Sequence, residues 1–337
     1  MSQGISAIPG FKEERLAAVT APARLHFGFV DLNGELGRQF GSLGLAIADL
    51  ATKLVIRPSA QNVTHGPDGS RARHFADVLL REWDIPSAVS ITVEHAIPSH
   101  CGLGSGTQMA LAVGAGLARL FNIDISTAEL VRITNRGTRS GVGLGAFDHG
   151  GFIIDGGRGP DTIAPPLISR LPFPEQWRVL LIFDDEREGL HGQSERDAFK
   201  QLPPMPFETS AELCRRVLMQ LLPALAEEDF KNFSDAITRL QEATGDQFAS
   251  VQGGRYTSPR VAEVLEWLRG QGGAGLGQSS WGPTGFAFFA DAADAENMAA
   301  LARRRWQSVA TLRFMVCRAR NEGARVHVHA ARHLIAA

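Results

Sequence analysis

Cysteine and lysine are both scarce in this chain, and each shortage narrows what it can be. The three cysteines, Cys101, Cys214 and Cys317, lie far apart and form no Cys-x-x-Cys pair. That argues against a disulfide framework or a cysteine zinc site, and it fits small apolar side chains in a reducing compartment. Four lysines (Lys12, Lys53, Lys200, Lys231) among 34 basic residues leave thirty arginines. Arginine suits two-pronged grips on phosphate or carboxylate, although the abundance of alanine and glycine also points to a compositional bias. The formal charge is -2 and no basic patch is interleaved with aromatics, so no nucleic-acid partner is expected. The segment Met1 to Gly10 has no basic start followed by an apolar core, and no stretch approaches the roughly twenty apolar residues of a membrane span. A cytoplasmic chain with no membrane partner is the expectation. Repeats and low-complexity tracts are absent as well.

What is present is a globular composition. With 337 residues and 44% hydrophobic content, the chain has room for two domains, each with a core. Strands are expected over Ala17 to Asp31, interrupted by Pro22, over Thr52 to Arg57, and over Val89 to Glu94, where apolar residues alternate. Helices are expected over Arg71 to Trp83, over the small-residue stretch Thr107 to Phe121, and over Thr127 to Thr138 behind a Ser126 cap. Arg139 to Gly151 reads as a glycine-dense loop before the strand Phe152 to Asp155. The proline-rich run Pro165 to Pro174 reads as a linker, which divides the chain into 1–170 and 171–337.

The second half reads as α+β. It opens with a strand, Arg178 to Phe183, and continues with helices over Ser210 to Leu225, Phe230 to Thr244 and Pro259 to Arg269. A strand (Gly285 to Ala290), a helix (Ala292 to Gln307) and two strands (Thr311 to Cys317 and Arg325 to Ala330) follow. The turn Asn321-Glu322-Gly323 is expected to join that last pair.

Pro98-Ser99-His100-Cys101-Gly102-Leu103-Gly104-Ser105-Gly106-Thr107 falls between a strand and a helix, so its amides converge where the helix dipole also favours an anion. Gly102, Gly104 and Gly106 let the main chain approach an oxygen closely. A Walker A loop is excluded because no Gly-Lys-Ser/Thr follows, and the full dinucleotide fingerprint because Gln108 and Met109 stand where its last glycine belongs. Alone, the run is equally a tight structural turn. His327-Val328-His329 has a spacing that can bind metal, but no third ligand accompanies it.

Two further loops stand with the central one: Ala21-Pro22-Ala23-Arg24-Leu25-His26, leading to Asp31-Leu32-Asn33-Gly34, and the late Gly277-Gln278-Ser279-Ser280-Trp281-Gly282-Pro283-Thr284-Gly285. Together they resemble the three motifs of the GHMP kinase superfamily. With Arg139-Ser140-Gly141-Val142-Gly143 and Phe147-Asp148-His149-Gly150-Gly151-Phe152, they are similar to the β-ribofuranosylaminobenzene 5′-phosphate synthase family. The resemblance spans most of the chain. It implies a two-domain GHMP kinase-like α+β fold, mixed sheets with helices packed on them and a ferredoxin-like second domain.

The resemblance also implies a reaction. Phosphoribosyl pyrophosphate condenses with 4-aminobenzoate (4-hydroxybenzoate in some members), carbon dioxide and pyrophosphate leave, and the product leads towards tetrahydromethanopterin. Mg²⁺ on the diphosphate and a homodimer are implied with it. An ATP-dependent small-molecule kinase is the alternative. Such kinases commonly place an aspartate two residues after a Ser-Gly pair, whereas Gly143 follows Ser140-Gly141-Val142, so a kinase would need another acid such as Asp148. A non-catalytic metabolite sensor is a third reading.

Displacing pyrophosphate calls for fixed donors at the phosphates. Gly102, Leu103, Gly104, Ser105, Gly106 and Thr107 are assigned to the pyrophosphate or the 5′-phosphate. Arg24, Arg136, Arg139 and Ser140 are assigned to anionic groups, and Gln278, Ser279, Ser280, Trp281, Gly282 and Thr284 to substrate. Asp31, Asp148, His26 and His149 are the catalytic candidates. Asp31 and Asp148 read equally as turn-stabilising aspartates, and Trp281 equally as a loop anchor. No metal ligands are assigned. Gly141 to Gly145 and Gly272 to Gly277 are expected to move to exclude water.

Overall fold

The computed structural model describes residues 15–330; the segment Met1 to Gly10, read above as lacking a leader, lies outside them. Seven strands form the first sheet: β1 (Arg15–Asp31), β2 (Phe40–Ser59), β3 (Val63–His65), β4 (Ala88–His95), β5 (Phe152–Asp155), β6 (Leu167–Leu171) and β11 (Arg325–Ala330). Their order is β11-β1-β2-β4-β3, with β5 on the first part of β2 and β6 on β5. The β1–β2 register shifts between Pro22 and Ala23, a local irregularity beside a residue with no N–H to give the ladder.

Helices α1 (Gly69–Glu82), α2 (Ser105–Phe121), α3 (Thr127–Thr134) and α4 (Val142–Asp148) cover one face of that sheet. Their core joins Val19, Ile56, Ile91 and Val93 to Phe75, Leu79, Met109 and Leu111. Ser126 caps α3 as expected, its hydroxyl accepting the Glu129 amide at 3.2 Å.

The glycine-dense stretch after Arg139 is not a loop throughout, for residues 142–148 coil into α4. Its glycines serve packing. A Cβ on Gly145 would stand 2.7 Å from Ile153 Cγ2, so only glycine lets this helix lie against β5. The proline-rich linker is corrected as well, because β6 lies within it and pairs with β5 as an edge strand.

A second sheet has the order β10-β7-β9-β8, from β7 (Arg178–Asp184), β8 (Ala274–Gln278), β9 (Gly285–Phe289) and β10 (Leu312–Cys317). Numbered within this half, the strands run 4-1-3-2, a βαββαβ arrangement. Helices α9 (Pro259–Gly270) and α10 (Ala292–Arg305) pack on one of its faces. Helices α5 (Gly192–Gln201), α6 (Phe207–Arg216), α7 (Leu222–Ala226, after one π turn) and α8 (Phe230–Gln252) complete the fold.

Two features cross the division at residue 170. The strands Leu312–Cys317 and Arg325–Ala330 do not pair: β10 joins β7, while β11 returns to β1 of the first sheet. One core also runs through both halves, packing Leu25, Phe27, Leu45 and Phe152 against Leu181, Phe183, Phe233, Phe286 and Phe288. This shared core fixes β1 and Leu103, just before α2, relative to β9, which follows the late loop 278–284.

Candidate active site

The three glycine loops meet at a single carbonyl. Gly102 O accepts Arg24 Nη1 at 2.5 Å and Ser279 Oγ at 2.7 Å. Ser279 Oγ also accepts the His26 amide at 3.0 Å, and the Ser280 amide bonds His26 O at 3.0 Å. Gly102 has φ +77°, and a Cβ there would stand 2.0 Å from Ser279 O, so the close approach requires glycine.

Above this junction opens a cleft of about 400 Å³. At its floor α2 begins after Gly104, which has φ +82° and supplies no side-chain cap. The first turn therefore presents Ser105, Gly106 and Thr107 to the cleft with the positive end of the helix dipole. Five arginines line the cleft: Arg24, Arg71, Arg136, Arg139 and Arg196. Arg24 is partly occupied, and its buried Nε has no partner. Burial pushes its pKa down to about 10, which leaves it cationic at neutral pH. Arg71 pairs with Asp68 at 3.0 Å and reaches Ser105 Oγ at 3.3 Å. Glu195 of α5 pairs with Arg139 at 2.5 Å and accepts the Trp281 indole N–H at 3.1 Å.

A buried polar chain runs beneath the cleft. His26 Nδ1 accepts the Gly28 amide at 3.1 Å, so its proton sits on Nε2 and is donated to Ser140 Oγ at 3.1 Å. Ser140 Oγ lies 2.6 Å from Ser42 Oγ, and the Ser42 hydroxyl donates to Asp155 Oδ2. Asp155 also accepts the amides of Ser42, Gly141 and Gly157 at 3.1, 2.8 and 2.8 Å. Burial raises the Asp155 pKa above the ordinary carboxylate value against the pull of those donors. Burial, followed by the charges of Arg24 and Arg139, holds His26 well below its usual value, so this histidine is neutral.

The cleft brings together Arg24, His26, Gly102, Leu103, Gly104, Ser105, Gly106, Thr107, Arg139, Ser140, Ser280, Trp281 and Gly282. Six expected site residues are not among its lining. Asp31 stabilises a turn, its Oδ1 accepting the amides of Asn33 and Gly34 at 2.7 and 3.1 Å. Asp148 and His149 end α4 on the exposed surface, with Asp148 accepting the Thr127 hydroxyl at 2.5 Å. The reason is helical geometry: Ser140 and Gly143 face the cleft, and the last turn carries Asp148 and His149 away. Gln278, Ser279 and Thr284 are buried and hold the late loop, for Gln278 Oε1 accepts the Thr257 amide at 2.7 Å and Thr284 O accepts the Ser279 amide at 2.9 Å. Trp281 lines the cleft but packs its ring on Phe248, centroids 4.5 Å apart, as a loop anchor.

The segments expected to move lie in or beside regular elements. Gly141 to Gly145 are buried at the start of α4, and Gly275 to Gly277 lie in β8. The cleft's outer wall is Gly189 to Arg196, where His191 stacks on His100 with ring centroids 3.6 Å apart. The sequence reading missed Ser42, Asp155, Arg71, Glu195, Arg196 and His191. Asp155 ends an apolar strand and Glu195 sits in an ordinary polar stretch, so neither carried a local signal.

Residues 70–156 match the model of the GHMP kinases N terminal domain, and residues 221–307 match that described as GHMP kinases C terminal. A β-ribofuranosylphenol 5′-phosphate synthase from Archaeoglobus fulgidus is 33% identical over 281 residues, 79% of this chain and 85% of that protein. The chain belongs to the β-ribofuranosylphenol 5′-phosphate synthase family. A second member, from Methanocaldococcus jannaschii, is 31% identical over 80% of this chain and 88% of its own length. A homoserine kinase from Cytophaga hutchinsonii superposes with a TM-score of 0.66 at 16% identity, covering 96% of this chain and 100% of the kinase, a likeness of fold.

Position 143, two residues after the Ser140-Gly141 pair, is glycine in this synthase family member. A Cβ on Gly143 would lie 3.1 Å from Thr107 Cγ2, Asp148 faces Thr127, and Asp155 is taken up by Ser42, Gly141 and Gly157.

Proposed function

We propose that the chain joins the anomeric carbon of phosphoribosyl pyrophosphate to the ring carbon of 4-hydroxybenzoate or 4-aminobenzoate that bears the carboxylate, releasing carbon dioxide and pyrophosphate. The observation that carries this reading is the uncapped start of α2 facing a cleft lined by five arginines and one carboxylate. Such a site favours a polyanion and stabilises charge growing on a departing diphosphate. Both substrates are anions, and fixed guanidinium groups suit both phosphate and carboxylate. Neutral His26 and the Ser140–Ser42–Asp155 chain hold the segment carrying Arg139 rather than activating a nucleophile. The name of the relatives, β-ribofuranosylphenol 5′-phosphate synthase, agrees with this chemistry.

Mg²⁺ belongs to the proposal as a partner of the diphosphate. The donor set does not fit a resident ion: Glu195 is the one acid lining the cleft, and no group of three or more His, Cys, Asp or Glu converges among the described residues. Magnesium commonly keeps water and substrate phosphates as its ligands, so it would enter with the diphosphate, and no protein ligand is assigned. A homodimer, a cytoplasmic location and an early place in tetrahydromethanopterin synthesis complete the proposal. No helix among the described residues is long and apolar enough to cross a membrane.

The test mixes purified protein, Mg²⁺, phosphoribosyl pyrophosphate and carboxyl-labelled 4-hydroxybenzoate or 4-aminobenzoate. Labelled carbon dioxide released only when both substrates are present is the expected result. Phosphorylation of a small alcohol by ATP, with no carbon dioxide released, would replace the proposal with a kinase.

A further inference from the structure

Five arginines and one acid make the acid the exception in this cleft. Glu195 is not an accident of a solvated helix face: Arg139 and the Trp281 indole both fix its Oε1, at 2.5 and 3.1 Å. Its Oε2 accepts no hydrogen bond among the described residues. Arg139 is itself held, with its guanidinium 4.2 Å from the Phe199 ring centroid. The surroundings are aromatic and apolar. Phe29, Leu190 and Trp281 line the cleft and belong to one cluster with Phe248 and Phe199. The cleft thus sets the start of α2 and its arginines against an apolar wall, and Glu195, whose charge also acts on Arg24 and Arg136, presents a single oriented carboxylate oxygen beside that wall.

We propose that Glu195 accepts a hydrogen bond from the group para to the carboxylate of the aromatic acid, and so selects benzoates carrying a para O–H or N–H. The assignment rests on the reaction given under Proposed function and adds a residue to it. A carboxylate held among arginines would weaken the binding of any second anion nearby, so its place in an anion cleft calls for a donor to offset that repulsion. A para hydroxyl or amine is such a donor, and its ring suits the apolar walls.

The chemistry gives this contact a role in the rate. As the ring carbon bonds to the anomeric carbon, the bond from that carbon to pyrophosphate breaks and pyrophosphate leaves with the electron pair. The ring is then left with positive charge that is shared onto the para oxygen or nitrogen. A hydrogen bond from that group to Glu195 is therefore stronger in the transition state than in the bound substrate, which is the condition for raising kcat. The bond from ring to carboxylate then breaks, its electron pair restores the aromatic ring, and carbon dioxide departs. The proton shared with Glu195 stays on the para group, so no proton is gained or lost.

The experiment compares wild type, Glu195→Gln and Glu195→Leu in the carbon dioxide assay, together with dissociation constants for phosphoribosyl pyrophosphate, benzoate and 4-aminobenzoate. Glu195→Gln keeps the shape but removes the charge, and kcat should fall by about tenfold to a hundredfold, in the range seen for single transition-state contacts or below it. In Glu195→Leu the preference for 4-aminobenzoate over benzoate should shrink by about tenfold, while benzoate itself binds no more weakly than to wild type. Trp281→Phe removes the indole donor and leaves the carboxylate, so it should cost less kcat than Glu195→Gln; an equal loss would mean that Glu195 only anchors the loop. Active wild type with unchanged kcat and unchanged benzoate preference in both Glu195 variants would overturn the assignment. Wild type that releases no carbon dioxide from either substrate pair would overturn the parent reading, and this one with it.

Discussion

The Gly141 amide donates to Asp155 Oδ2 at 2.8 Å, and through that bond a buried acid fixes the segment that carries Arg139 and Ser140 into the cleft. Asp155 is 2% exposed and also holds Ser42 and Gly157. Replacing it by asparagine turns an all-acceptor group into one whose NH₂ must face donors. Asp155→Asn should destabilise the fold by about 2–3 kcal/mol, the cost of leaving buried donors unpaired. Urea unfolding measures this, and an unchanged midpoint and slope would remove Asp155 from the supporting role given to it.

Arg24 should resist conservative replacement. Its guanidinium reaches Gly102 O while its buried Nε stays without a partner. Lysine has no planar fork and loses charge more readily on burial. Arg24→Lys should weaken phosphoribosyl pyrophosphate binding by about tenfold and Arg24→Ala by about a hundredfold, from charge-assisted bonds worth roughly 1.5–3 kcal/mol. Calorimetry would contradict this by giving the wild-type dissociation constant for the lysine variant.

Gly104→Ala tests the turn itself. The residue has φ +82°, and a Cβ would lie 3.2 Å from Arg24 Cγ. The left-handed conformation costs a residue with a side chain about 1–2 kcal/mol, and Arg24 must shift as well. Both thermal stability and phosphoribosyl pyrophosphate affinity should fall; loss of stability with full affinity would separate the turn from the anion site.

His26 sets a pH dependence. Its folded pKa is depressed, first by burial and then by Arg24 and Arg139. Above about pH 6.5 both folded and unfolded chains carry it neutral, so its contribution is complete. Below that pH the unfolded chain takes up a proton that folded His26 refuses. Stability therefore falls as acid is added, by up to about 1.4 kcal/mol per pH unit from this group. Unfolding at pH 7.5 and 5.5 should show a shallower loss in His26→Gln than in wild type; equal losses would contradict the buried neutral imidazole.

Asp148→Asn should leave turnover within about twofold of wild type, since surface substitutions away from a site have small effects. A large fall in kcat would place Asp148 in the chemistry despite its contact with Thr127.

The sequence was legible wherever one residue's role was local. The alternation of Val89, Ile91 and Val93 marked β4, Ser126 marked the start of α3, and Gly102, Gly104 and Gly106 marked the turn before α2. It was opaque wherever tertiary contact overrode propensity. Gly143 and Gly145 are poor helix formers, yet they lie in α4 because β5 and α2 approach too closely for larger residues. Prolines around β6 disguised an edge strand, and the turn near Gly323 joins strands of different sheets. Arg24, Arg139 and Ser140 were found through their motifs. Asp155, Ser42 and Glu195 were not, since only the folded chain brings Ser42 to Asp155 across 113 residues and Glu195 to Arg139 across 56.

An experimental structure with phosphoribosyl pyrophosphate bound tests the anion site most directly. Phosphate oxygens should lie within hydrogen-bond distance of the amides at the start of α2, Ser105 to Thr107, with Arg24 turned towards them. Phosphates lodged elsewhere, with those amides facing water or bonded within the protein, would contradict it.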